Sequence, residues 1–142
     1  MDKEFEQLKE WTILFMKHKD IYQKKIVNIR EEGSSVIVEY KDHIHYFIIL
    51  PLISDIASAI LDYKDKNVSL ITYNTRANLD KVIESWTLLS ELQMLSIYFV
   101  NPNSNTDKKW IIYPFTHSQI SEQAALKQGL QTLFESVEPY VS

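Results

Sequence analysis

The chain has 142 residues, 45% hydrophobic, 12% aromatic and 24% charged, with a net charge of −4 and no cysteine. Those values fit one globular domain over residues 1–142, large enough to bury a core without staples. They exclude disulfides, thiolate zinc sites and a cysteine nucleophile, and they argue against a partner held mainly through phosphates.

The N-terminus, "MDKEFEQLKEW", is charged and helical in pattern, unlike a signal peptide. No segment approaches the ~20 apolar residues needed to cross a bilayer. With cysteine absent, the expected location is the cytoplasm, and no membrane partner is expected.

Phe5, Leu8, Trp11, Thr12 and Phe15 recur at three- and four-residue steps, which predicts an amphipathic helix over 3–22. Lys17, Lys19, Lys24, Lys25 and Arg30 cluster around its end; they read as a solvated face, with lysines suited to the helix field. The period then changes. Residues 26–29 form a strand, Gly33 turns the chain, and residues 36–41 alternate as a second strand. A two-residue turn at Asp42-His43 leads to a third strand over 44–50, pairing Glu39 with Tyr46 and Val38 with Phe47. Val36, Val38, Tyr40, His45, Phe47 and Ile49 then form the better core face. Glu39 and Lys41 fall near the rim of the other.

Pro51 ends the third strand, and Ser54 is placed to cap a short helix carrying Ile56 and Ile60. Residues 68–73 form a nearly all-apolar strand, Asn74 or Thr75 caps a helix with Leu79, Val82, Ile83, Trp86 and Leu89 inward, and residues 94–100 form another buried strand. That rhythm is a right-handed parallel crossover. After the polar loop 101–109 comes an antiparallel strand over 110–113, stopped by Pro114. His117 and its neighbouring hydroxyls are read as caps for a last helix lined by Leu126, Leu130, Leu133, Phe134 and Val137. Gly129, inside that helix, suggests a close approach by another element.

The fold class is therefore α/β: a mixed sheet with an N-terminal helix, a three-strand antiparallel meander, a β-α-β crossover, a hairpin strand and a C-terminal helix.

The chemistry-bearing spacing is Glu39-x-Lys41. The order helix, meander, helix, strand over residues 3–100 resembles the restriction-endonuclease-like (PD-(D/E)XK) superfamily, in order of elements only. The resemblance implies a Mg2+ site in which an acid on the second strand and a Glu-x-Lys on the third hold the metal and position water. Here the pair falls on the second strand, and the third, "IHYFIIL", has neither carboxylate nor lysine; Glu31 and Glu32 supply the missing acid only if the strands are counted differently.

His43 and His45 stand two apart but provide only two ligands, and a turn at His43 separates them. Asn103, Asn105, Lys108, Trp110 and Tyr113 form the candidate contact surface, a polar loop beside aromatics. Trp110 and Tyr113 fall on opposite strand faces, which favours core packing over a base-stacking platform. The sequence thus points to a binding or accessory module without catalytic machinery or cofactor, its partner a protein or a second copy of the chain. The alternative is a metal-dependent nuclease, or a degenerate relative that binds nucleic acid.

Overall fold

The computed structural model describes residues 2–120 and 123–141. Helix α1 (Lys3–Lys19) is followed by strands β1 (Ile26–Glu32), β2 (Ser35–Tyr40) and β3 (Ile44–Ile49). Next come α2 (Ile56–Ile60), a 3-10 turn, β4 (Asn67–Tyr73), α3 (Arg76–Glu84), α4 (Trp86–Leu89) and β5 (Leu95–Val100). The chain ends with β6 (Lys109–Ile112), α5 (Pro114–Ile120) and α6 (Gln123–Glu135).

The six strands lie in sequence order in one sheet. β1, β2 and β3 pair antiparallel, β3, β4 and β5 parallel, and β6 antiparallel to β5. The α/β class, meander, crossover and final hairpin strand are therefore present, and α2 makes a further crossover from β3 to β4.

One face of the sheet meets α1. Phe5, Leu8 and Met16 pack there on Val36, Val38, Phe47, Ile49, Ile71 and Val100. The other meets α2, α3, α4 and α6, where Ile56, Ile60, Leu79, Val82, Leu89 and Leu130 cover Leu70, Ile97 and Phe99. β5 is buried along its whole length and β4 nearly so, because helices cover both faces of these central strands. This is why they read as continuous apolar runs.

Several local expectations are corrected. α1 stops at Lys19 rather than 22 because the Asp20 carboxylate accepts the N–H groups of Lys25 and Ile26, at 2.8 and 3.0 Å, and turns the chain. Three residues, 41–43, separate β2 from β3, and Glu39 pairs with Ile44 and Val38 with His45. That is a shift of two, and a period-2 strand keeps its faces under an even shift; the expected core face survives while Lys41 leaves the strand. Asp55, not Ser54, caps α2 by accepting from Ser58 N–H. Thr75 caps α3, and the long helix expected there breaks at Ser85 into α3 and α4.

Pro114 ends β6 and also opens α5, a role its fixed φ and missing N–H favour. His117 consequently lies inside a helix, with Nδ1 3.1 Å from the Tyr113 carbonyl oxygen, and does not cap α6. A side chain at Gly129 would meet nothing within 4 Å, so no close approach explains that glycine.

Candidate functional site

The carboxyl ends of β3 and β4 stop beside the N-terminus of α1, leaving a crevice of about 680 Å³. Three side chains shape this end of the sheet. Asn78 accepts from Ile53 N–H through Oδ1, at 2.9 Å, and donates to the Pro51 and Tyr73 carbonyls, each at 3.0 Å. It thereby fixes the loop after β3 against the loop after β4. Asn74 donates to the Val137 carbonyl at 3.0 Å, and its own carbonyl accepts Tyr140 N–H at 2.8 Å. Asn101 donates to the Glu138 carbonyl at 2.9 Å. A buried amide provides both donors and an acceptor, so these asparagines satisfy loop backbone where ladder pairing ends.

The tail delivered by Asn74 completes the crevice. Tyr140 stacks on Tyr73 with ring centroids 3.7 Å apart, and its hydroxyl donates to Glu4 Oε2 at 2.9 Å. The Tyr73 hydroxyl lies 2.7 Å from the Glu4 carbonyl and 3.0 Å from Gln7 Oε1. Burial, then the neighbouring Tyr140, pushes the Tyr73 phenol well above its usual range, so it stays a neutral donor. Phe5, Ile49, Leu50 and Leu52 supply apolar lining, and Ser34 and Thr75 add hydroxyls. The charged groups among the described lining residues are the carboxylates of Asp2 and Glu4. Asp2 also caps α1 through the Glu4 N–H.

The sequence-selected residues lie elsewhere. Glu39 accepts from Arg30 Nε at 3.0 Å, and Arg30 also bridges to Glu32. Lys41 is exposed in the turn. Glu31 pairs with Lys9 at 2.7 Å. Glu39 and Lys41 thus do not sit together on one strand, and among the described residues no three His, Asp or Glu side chains converge as a metal site.

His43 stacks on Tyr40 and pairs with Asp42. His45 is largely buried, with Nε2 2.8 Å from Ser69 Oγ, which lies 2.6 Å from Ser96 Oγ.

The loop residues are brought together only in part. Lys108 Nζ donates to the Pro102 and Ser104 carbonyls, at 3.1 and 2.7 Å, closing the loop on itself. Asn103 Oδ1 accepts weakly from Gln7 at 3.4 Å, and Asn105 N–H donates to Glu138 at 3.2 Å. Trp110 is 5% exposed, stacked on Phe99 at 4.3 Å and bonded to Asn74. It belongs to the core and offers no contact surface. Tyr113 is exposed on the opposite side.

Sequence reasoning missed the crevice because its lining comes from five separate stretches. The available signals were buried-type asparagines directly after two apolar strands, at 74 and 101, and the tyrosine near the chain end. Comparison with protein-family models, with characterised proteins and with solved structures finds no match.

Proposed function

We propose that this chain is a non-catalytic binding or accessory module, and that the crevice at the carboxyl ends of β3 and β4 is its ligand site. The observation that carries the reading is the lining. An apolar interior is bordered by two carboxylates and a stacked tyrosine pair, with no lysine, arginine or histidine among the described lining residues. Concave, largely apolar sites with a few convergent polar groups are the usual form of small-ligand sites. Carboxylates beside aromatic rings favour a cation, through charge and through the ring quadrupole. The matching ligand carries an apolar body and a positively charged head: an alkyl ammonium, or an apolar peptide segment with a lysine or arginine.

Calorimetric titration with hexyltrimethylammonium, hexanol and hexanoate tests this. The cation is expected to bind best, and Glu4→Gln to weaken it at least fivefold. Equal or tighter binding of hexanoate overturns the assignment. Separately, the protein is incubated with Mg2+ or Mn2+ and mixed DNA and RNA. Metal-dependent cleavage that disappears in Glu39→Ala overturns the non-catalytic reading in favour of the nuclease alternative.

A further inference from the structure

At the other end of α1 the surface has the opposite sign, although the chain as a whole carries −4. Lys17, Lys19, Lys24 and Lys25 are exposed where α1 turns into β1. Lys41 joins them, its N–H donating to the Lys25 carbonyl at 3.1 Å. Among the described residues none of these five ammonium groups is ion-paired. Of the acids in these turns, the Asp20 carboxylate accepts two backbone N–H groups, and Asp42 Oδ1 lies 2.7 Å from His43 Nδ1.

Apolar groups stand among the lysines. Tyr22 is 94% exposed, Leu14 64% and Ile21 52%. Leu14 lies near the end of α1, and Ile21 and Tyr22 lie in the turn that follows it, so all three are exposed at the same end of the helix as the lysines.

Lys24 adds a separate observation. Its φ is +50°, and it is the one non-glycine residue in the left-handed region among those described. A side chain there is strained where glycine would be at ease. The turn thus holds a lysine at a position whose backbone disfavours one, as happens where a side chain has a use.

We infer that this end of the molecule docks on an anionic lipid surface. Lysines are drawn to acidic headgroups, and the tyrosine, leucine and isoleucine enter the headgroup–acyl boundary, so both halves of the surface are engaged. A nucleic-acid duplex would engage the lysines and leave Leu14 and Ile21 in water. The contact is peripheral: no described helix is long and apolar enough to cross a membrane. The inference is independent of the crevice.

Sedimentation with vesicles of phosphatidylcholine containing 30% phosphatidylserine, against pure phosphatidylcholine, tests it. Binding is expected to the anionic vesicles, at least tenfold weaker to neutral ones, and reversed by 0.5 M salt. Lys24→Gly is expected to raise the melting temperature, by relieving the backbone, and to weaken vesicle binding about fivefold, the share of one lysine near such a surface. Tyr22→Ser is expected to weaken binding with the melting temperature unchanged. Absent binding, equal binding to both vesicle types, or vesicle binding unaffected by Lys24→Gly overturns the inference. So does tighter binding to single- or double-stranded oligonucleotides than to anionic vesicles.

Discussion

The indole Nε1–H of Trp110 donates to Oδ1 of Asn74 at 2.8 Å, with both side chains buried. The same amide donates to the carbonyls of Val137 and Phe134, at 3.0 and 3.3 Å. One side chain therefore joins the end of β4, the edge strand β6 and the C-terminal tail. Asn74→Ala leaves a buried indole N–H and a tail carbonyl without their protein partners, and each such orphan costs about 1–3 kcal/mol. Urea unfolding is expected to show a loss of about 3 kcal/mol. A loss under 1 kcal/mol would mean that the amide is not the junction described.

That junction also marks what could be read in advance. The helix stripe of Phe5, Leu8 and Thr12 and the alternation of Val36 and Val38 are set by local periodicity, and both face the core as expected. The crossover followed from two apolar runs around a capped helix. What stayed hidden depended on through-space partners. Nothing in the neighbourhood of Asn74 says that its amide will meet Trp110, 36 positions away, or that Tyr140 will close a crevice against Glu4. Glu39-x-Lys41 depended on the strand's length. The spacing is a strand-face pattern only if the strand continues through both residues, and β2 ends at Tyr40.

Tyr140→Phe keeps the stack on Tyr73 and removes the hydroxyl that holds Glu4 Oε2. A hydrogen bond to a charged group contributes about 1.5–3 kcal/mol when buried, and solvent in this open crevice reduces that to about 1 kcal/mol. Chemical denaturation is expected to show that loss or less. Affinity for hexyltrimethylammonium should fall two- to threefold, because Glu4 is no longer held in place. An affinity drop as large as that of Glu4→Gln would assign the contact to the phenol itself.

Glu39→Ala removes the Arg30 Nε partner, yet Arg30 keeps Glu32, and both side chains of the Arg30–Glu39 pair are partly in water. Exposed pairs of this kind contribute about 0–1 kcal/mol. The variant is expected to lose no more than that in urea. Lys41→Ala, in the exposed turn, should leave stability unchanged within about 0.5 kcal/mol. A much larger loss in either variant would show that the pair carries structural weight beyond the one bridge.

His45 gives the fold a dependence on pH. It lies beneath α1, stacked on Phe47 at 4.3 Å and bonded to Ser69 Oγ. Burial, then the neighbouring His43 and Lys19, lower its pKa to about 4. In the unfolded chain the imidazole takes a proton near pH 6.5. Between these values the unfolded state binds more protons than the folded one, so stability falls as pH falls. The slope approaches about 1.4 kcal/mol per unit, and the full effect is about 3 kcal/mol near pH 4. Above pH 7 this residue contributes no pH dependence. Carboxylates also titrate below pH 5, so the quantity to follow is the difference between the wild type and His45→Gln in urea unfolding from pH 7.5 to 4.5. The wild-type curve should drop by about 2 kcal/mol more than the variant's across that window, and parallel curves would show that His45 is protonated as readily inside the fold as outside it.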